Sequence, residues 1–248
     1  ANCTFSGCRS SFGGAMFINS AIEVRLEGVN RFECCSATQY GSILALQSKT
    51  TFFDLPSTTI IENQNDGSQF LIYCYLQDFR CYNLNLTNNI TQNCFYIYGD
   101  NGYTELKSIH FENVAQAIYI CNIAENTEVL DCTFYNCHPS STDSIVSISS
   151  IFNVLFSNNT FDSIKDGRPT PALYIQYYSQ NIEISHNRFL NCDSYQPLWP
   201  AIRFAGSIHF LVPYYLFKFN YNYLKNVGSN KLGVFLFNLN NQQIEFCH

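Results

Sequence analysis

The chain repeats a short pattern of alternating polar and apolar residues that leads to an aromatic anchor. In the clearest copy the alternation begins at Ile182, the anchor is Phe189, and Cys192 follows three residues later. Related copies place anchors at Phe5, Phe32, Ile60, Leu86, Phe111, Phe134, Phe161, Phe189 and Tyr223. Successive anchors are mostly about 23 to 28 residues apart, with one longer step before Tyr223. A fixed period of this size indicates stacked repeats.

Each repeat also carries a second short apolar segment after its anchor, rich in β-branched and aromatic residues. These segments are 15–18, 42–46, 70–73, 94–98, 117–120, 144–148, 172–175, 201–204 and 234–237. They have the composition and length of strands, and none extends into a helical stripe. Two or three short strands in about 25 residues are typical of a parallel β-helix, whereas propeller blades are longer and leucine-rich repeats need a Leu signature.

The pattern therefore predicts an all-β fold: a single right-handed parallel β-helix of about nine coils, without a major helix. Residues 1–248 form one domain, since no linker interrupts the repeat. The chain opens inside a repeat and closes at the beginning of another copy, so we expect it to be a segment of a longer protein.

Two further columns follow from the register. The residues at the third position after the anchor are mostly Cys, Val or Ile, so we predict that they form an apolar interior column. They are Cys8, Cys35, Val114, Cys137, Ile164 and Cys192. Asn residues recur beside the anchors at Asn113, Asn136, Asn191 and Asn226. Asn tolerates the left-handed conformation of tight corners, and stacked Asn side chains can bond from coil to coil.

The composition argues against disorder, nucleic-acid binding and a membrane span. The chain is 46% hydrophobic, 16% aromatic and only 13% charged, which argues against disorder. Its net charge is -6 and it has no basic cluster, so we predict no nucleic-acid partner. Residues 208–219 form the most apolar stretch, but it is too short for a membrane span and contains Pro213 and Lys218.

Twelve Cys among 248 residues are fewer than a disulfide-stapled small domain carries. Most fit the interior column as small hydrophobic side chains. Only Cys8 and Cys35 fall on adjacent coils of that column, where a disulfide would be within reach. No Cys-x-x-Cys pair accompanies a His pair, so we predict no metal site and no cofactor.

Acidic residues offer two interpretations. Glu23, Glu105, Glu128, Glu183 and Glu245 are predicted to share one repeat slot, together with Asp78 and Asn153. Stacked carboxylates repel, so the slot is either a charged strand edge that resists aggregation or a place where a cation binds. Asp residues are scattered, without the paired carboxylates of a hydrolase or the Ca²⁺ cluster of a lyase. We therefore assign no catalytic residue.

Loops of unequal length occur at one place in the repeat, between the anchor and the second segment. They cover 138–143, 165–171, 193–200 and 226–231. Repeat proteins often bind partners on the face that carries such loops. The hypothesised binding residues are Lys165, Asp166, Arg168, Tyr195 and Trp199; a solvated charged loop and an aromatic cover over the coil are the alternatives. Candidate glycosylation sequons begin at Asn2, Asn85, Asn89 and Asn158.

These repeats resemble the right-handed parallel β-helix of pectin-lyase-like proteins. More narrowly, the chain is similar to the polymorphic membrane protein (Pmp) repeats of chlamydial and trichomonad surface proteins. It contains Gly13-Gly14-Ala15-Met16 and two copies of the Phe-x-x-Asn motif, at Phe156 and Phe217. The resemblance implies a non-catalytic cell-surface or secreted protein that works in adhesion.

We therefore expect a surface-exposed β-helix module that binds a host or self surface protein or glycan through the variable-loop face. A polysaccharide-active enzyme of the pectin-lyase type is the first alternative. An intracellular structural scaffold is the second.

Overall fold

A computed structural model describes residues 2–19, 23–26, 28–56, 58–61, 64–65, 70–88, 93–99, 102–121, 126–138, 144–149, 153–166, 172–176, 181–194, 202–205, 216–229, 235–238 and 243–247. These residues form a parallel β-solenoid without a helix, which confirms the predicted fold class. Within these ranges no helix is long and apolar enough to cross a membrane.

The anchors lie in a ten-stranded parallel sheet, which we call the anchor sheet. Its strands are β1 (Cys3–Ser6), β5 (Asn30–Glu33), β8 (Thr58–Ile61), β11 (Asn85–Thr87), β14 (His110–Glu112), β17 (Thr133–Tyr135), β20 (Thr160–Asp162), β21 (Lys165–Asp166), β24 (Arg188–Ser194) and β27 (Tyr223–Ser229). A three-stranded sheet lies beside its first coils, with β2 (Arg9–Phe12), β6 (Ser36–Tyr40) and β9 (Gln64–Asn65).

A sixteen-stranded sheet forms the remaining wall as two ladders, joined because β7 (Leu44–Pro56) and β10 (Phe70–Tyr82) belong to both. Ladder 1 adds β3 (Met16–Asn19), β12 (Asn93–Tyr98), β15 (Ile118–Cys121), β18 (Val146–Ser149), β22 (Leu173–Gln176), β25 (Ile202–Ala205) and β28 (Phe235–Asn238). Ladder 2 adds β4 (Glu23–Arg25), β13 (Thr104–Lys107), β16 (Asn126–Leu130), β19 (Asn153–Ser157), β23 (Asn181–Ser185), β26 (Leu216–Asn220) and β29 (Gln243–Cys247).

Each coil runs from ladder 1 to ladder 2, turns a corner into the anchor sheet, turns a second corner, and returns through a loop. The turns that are described most fully lie between Phe70 and Ser194 and number about five, fewer than the predicted nine. The difference arises because the outer coils are described only in part, although the same ladders continue into them.

A file of aromatic rings fills the interior under the anchor sheet. Phe111 and Phe134 stack with ring centroids 5.0 Å apart, and Phe134 and Phe161 stack at 4.4 Å. Phe161 and Phe189 continue the file at 4.9 Å. These four side chains are fully buried, so the predicted anchor column is confirmed.

One anchor was assigned wrongly. Phe189 pairs with Leu224, whereas Tyr223 pairs with Arg188 and is 52% exposed. A strand presents successive side chains to opposite faces, so a register error of one residue exchanges an interior position for an exterior one.

The predicted Cys column is also confirmed as interior. Cys35, Val114, Cys137, Ile164 and Cys192 are buried. Cys8 is partly buried and packs against the core. Cys8 and Cys35 are both thiols in the structure and interact with each other, and the oxidation of this pair stays a prediction.

Left-handed residues mark both corners of the coil. Among the described residues, thirteen that are not glycine have a positive φ, and all lie in two files. The file after the anchor strand includes Asn113, Asn136, Asn191 and Asn226, as predicted. Their amides bond from coil to coil: Asn136 donates to Asn113 at 2.5 Å, and Asn226 donates to Asn191 at 3.0 Å.

The other corner contains a buried amide ladder that the sequence did not reveal. Asn159, Asn187 and Asn222 follow Leu84, Ile109 and Cys132 at the same position of successive coils. The side-chain amide of Asn187 donates to the Phe156 carbonyl at 2.9 Å and to Asn222 Oδ1 at 2.9 Å. These bonds satisfy backbone groups that a tight corner would otherwise leave without partners.

Candidate functional site

Much of the hypothesised loop site lies outside the described residues. Arg168, Tyr195 and Trp199 are outside the residues that the structure describes. Lys165 and Asp166 form β21, a strand paired with β24, rather than part of a loop. The assignment of these five residues to binding therefore stays a prediction.

The sequon residues Asn2, Asn85 and Asn158 are exposed, whereas Asn89 lies outside the described residues. Asn2 Oδ1 accepts a hydrogen bond from the backbone N–H of Val29 at 3.1 Å. Glycosylation at all four stays a prediction.

A continuous row of aromatic rings lies on the outer face of the early coils. We call it the aromatic strip; its members are Phe12, Phe17, Tyr40, Phe70, Tyr73, Tyr96 and Tyr119. Five of them belong to ladder 1, while Phe12 and Tyr40 end the strands β2 and β6 that precede it. The predicted variable loops precede the later ladder 1 strands β18, β22, β25 and β28, so the strip lies on the coils before those that carry the loops.

Strand register produces the stacking within the strip. Tyr73, Tyr96 and Tyr119 are aligned on consecutive strands, and their ring centroids are 5.3 Å apart at each step. Ala45 occupies the aligned position before Tyr73, and the ring of Tyr40 lies 4.8 Å from that of Tyr73. The row therefore remains continuous where ladder 1 itself lacks a ring.

The strip is apolar and uncharged, yet it reaches solvent. Phe17 is 45% exposed and Tyr40 is 41% exposed. Tyrosine hydroxyls are neutral at neutral pH, and burial raises the pKa of Tyr73 and of Tyr96 further. The rings of Tyr73, Tyr96 and Tyr119 are nearly parallel, with interplanar angles of 4° and 12°, so this part of the row presents ring edges and hydroxyls.

A second feature is a polar groove of about 300 Å³ on ladder 2, which we call the amide groove. It is lined by Asn126, Thr127, Glu128, Asn153, Val154, Leu155, Asn181 and Glu183. This volume is at the lower end of ligand pockets.

Amides form one side of the groove. Asn181 Nδ2 donates to Asn153 Oδ1 at 2.9 Å, and Asn153 Nδ2 donates to Asn126 Oδ1 at 2.6 Å. Glu128 and Glu183 lie on the strands before and after Leu155. Two strand spacings separate their backbones by about 10 Å.

The predicted acidic slot is only partly correct. Glu105, Glu128, Glu183 and Glu245 occupy one file, with Leu155 and Lys218 between them. Asp78, Asn153 and Glu23 belong to the neighbouring file, two residues earlier in the strand register. The error arose because the sequence gives the period of the repeat but not its offset between coils of different length.

Tyrosine hydroxyls partner the two carboxylates that face each other on adjacent strands. Tyr82 Oη lies 2.5 Å from Glu105 Oε2. Burial, followed by the charges of Glu128 and Glu105, raises the pKa of Tyr103, whose hydroxyl bonds to Glu128. These contacts offset part of the repulsion between stacked carboxylates. In the part of the chain that the structure describes, no three acidic, His or Cys side chains are arranged to hold a metal ion.

Sequence reasoning missed the aromatic strip because it treated the second apolar segments as interior strands. The signal was present: Tyr73, Tyr96, Tyr119 and Tyr174 recur at one position of these segments. Alternation places that position on the face opposite the buried Ile side chains.

Comparisons with protein-family models, with curated proteins and with solved structures find no significant match to this chain. The assignment to a pectin-lyase-like or Pmp-type family is therefore a proposal and not a result.

Proposed function

We propose that this chain is a non-catalytic, surface-exposed β-helix module that binds a partner, in adhesion or in a similar contact, at the cell surface or outside the cell. The aromatic strip is the observation that carries the proposal. Aromatic residues, Tyr above all, are enriched in protein interfaces, where a large apolar body and a polar tip are both useful. A row of seven rings on one outer face is a surface suited to contact.

The variable loops complete the proposed contact face. In the chain they precede the ladder 1 strands β18, β22, β25 and β28, and the strip belongs to the coils before these. Loops of this kind change sequence without disturbing the ladders, which suits a surface whose partner varies.

The Pmp-type family belongs to the same proposal. Support comes from the Gly-Gly-Ala segment, which forms the turn between β2 and β3. Gly13 has φ +53°, and a Cβ at Gly14 would lie 2.2 Å from the Ser42 carbonyl oxygen. The motif thus has a structural reason in this chain, because only glycine fits there.

The test is binding of the purified chain to cell surfaces, extracellular proteins and a glycan array. We expect at least one of these targets to bind, and the Tyr96→Ser variant to lose that binding. Tyr135→Ser is the control, because it makes the same change at an exposed tyrosine of the anchor sheet, outside the strip. No binding anywhere, or equal binding by both variants, would contradict the proposal.

The amide groove favours a second candidate, a polysaccharide-active enzyme. Inverting glycosidases hold the carboxyl groups of an acid and a base about 6.5 to 9.5 Å apart. Glu128 and Glu183 line one groove on strands whose backbones are about 10 Å apart, which brings two carboxylates into that neighbourhood. The measurement is release of reducing ends from a panel of polysaccharides. Activity that Glu128→Gln and Glu183→Gln each abolish would establish the enzyme and overturn the non-catalytic proposal.

An intracellular scaffold is the remaining alternative. It is distinguished by mass spectrometry of the native protein, since a scaffold predicts free thiols and no glycan at Asn2, Asn85, Asn89 or Asn158. A glycan at any of these positions would exclude it.

A further inference from the structure

We infer that the partner of the aromatic strip is a second copy of this solenoid, whose strip packs antiparallel against the first around a two-fold axis. The inference rests on the proposed binding function and names the partner for it. Three properties of the strip carry the inference: its spacing, the orientation of its rings, and its charge.

The spacing of the strip matches that of another solenoid. Ring centroids recur at 4.8 Å from Tyr40 to Tyr73 and at 5.3 Å along Tyr73, Tyr96 and Tyr119. A parallel second row, Tyr75 and Tyr98, has a centroid separation of 5.2 Å. Strand spacing sets this repeat. A partner meets every ring only if its own side chains recur at the same interval, and a second copy satisfies this condition.

The orientation of the rings argues against a small flat ligand. Tyr96 is stacked on both faces, by Tyr73 and by Tyr119, so a planar ligand finds no open face on this central ring. Rows of edges can interdigitate instead, as they do between paired sheets in steric zippers. A two-fold axis makes such an interface self-complementary, because each row meets an identical one.

The charge distribution also favours the strip as the face at which two copies meet. Each copy has a net charge of -6, so two copies repel each other over most of their surfaces. No member of the strip carries a charged side chain, since all seven are Phe or Tyr. Added salt screens the remaining repulsion, so the dimer should strengthen with salt, unlike an interface held by ion pairs.

The size of the strip limits the strength of the contact. The row from Phe17 to Tyr119 spans five aligned strands, or about 20 Å. A single row of this length covers less area than a standard stable interface. Association should therefore be reversible and dependent on concentration.

The experiment is sedimentation equilibrium of the whole chain over a range of concentrations, at low and moderate salt. We expect a monomer–dimer equilibrium that shifts toward dimer as salt is raised. Tyr96→Ser should weaken dimerisation about tenfold or more, since each dimer loses the ring twice. Tyr135→Ser, on the anchor sheet, should dimerise as the parent chain does. Phe17→Lys adds a charge to an exposed end of the strip without touching the core, and serves if Tyr96→Ser fails to fold.

A chain that stays monomeric at the highest concentration overturns the inference. A dimer that is weakened neither by Tyr96→Ser nor by Phe17→Lys overturns it as well. These results are separable from a failure of the proposed function. A monomer that still binds another target through the strip leaves the proposed function standing, whereas a monomer that binds nothing removes both.

Discussion

At the scale of the residue, the most demanding positions are the buried amides at the corner between ladder 2 and the anchor sheet. Asn187 is fully buried, and its Oδ1 accepts from the backbone N–H of Asn159 at 2.9 Å and from its side-chain amide at 3.0 Å. The sequence did not single this residue out, because Leu84 and Ile109 fill the same position in earlier coils. The column changes from apolar residues to Asn part of the way along the solenoid. The period of the sequence does not indicate such a change.

Replacing Asn187 by Ala should destabilise the protein by about 3 kcal/mol, because buried donors and acceptors on two adjacent coils lose their partners. Urea denaturation measures the change. The control is Asn153→Ala in the exposed ladder of the amide groove, where water replaces the lost bonds and the cost should be below about 1 kcal/mol. Equal losses in the two variants would show that burial does not govern the strength of these ladders.

Buried thiols make stability depend on pH. Burial raises the pKa of Cys132 and of Cys137 from 9.0 to about 12. The neutral thiol is thus favoured in the folded state, so this contribution is complete below pH 9.0 and is lost as the pH rises toward about 12.

We expect the free energy of unfolding to fall as the pH is raised above 9.0, and to fall less in the double variant Cys132→Val, Cys137→Val. Valine suits both positions, since Val114 precedes Cys137 in its column and the β-branched Ile109 precedes Cys132 in its file. Denaturation at several pH values compares the two slopes. Identical slopes would mean that other groups, such as the tyrosines, account for the whole effect.

At the scale of the element, the sequence predicted the strands and their order around the coil, while individual offsets needed the structure. Phe111 and Phe161 were predicted directly, because each is an aromatic residue flanked by polar ones on a short strand. Phe134 and Phe189 follow from the period of the repeat, since Tyr135 and Leu190 are also apolar or aromatic. At the last anchor, Tyr223 and Leu224 are adjacent hydrophobic residues, and alternation alone does not decide which one faces inward. The candidate surfaces were harder to predict, since they depend on which face of ladder 1 or ladder 2 a side chain occupies.

The turn between β2 and β3 depends on contact between coils. A Cβ at Gly14 would lie 2.2 Å from the Ser42 oxygen and 2.3 Å from the Ser36 oxygen, so the backbone must move. Gly14→Ala should cost at least about 3 kcal/mol.

Gly7→Ala is the matched control for this prediction. Gly7 has φ +64°, but no atom lies within 4 Å of its added Cβ. Only the left-handed conformation then opposes alanine, at a cost of about 1 to 2 kcal/mol. Thermal or urea denaturation ranks the two variants, and a Gly7 variant that is the less stable would contradict the contact argument.

At the scale of the whole molecule, stability is distributed along one axis. Each coil contacts mainly its two neighbours, so cohesion is a sum of local terms. Strands of the central turns are paired on both sides; in contrast, β29 ends the described order of its ladder with β26 as its partner.

Hydrogen exchange should therefore be slowest in the strands β13, β16 and β19 and faster toward both ends of the ladders. Mass spectrometry of exchanged peptides measures this gradient. A single rate shared by all strands would indicate that the molecule opens as one unit. In that case the additive description of the coils would be wrong.

The corner hydrogen bonds tolerate very different amounts of intervening chain. Asn136 and Asn113 are 23 residues apart, whereas Asn226 and Asn191 are 35 apart, yet both pairs form the same contact. The geometry of this contact therefore does not depend on the number of residues between the two corners. An in-frame duplication of one turn would leave its neighbours with the faces they already had. The length of such a molecule is thus a matter of copy number.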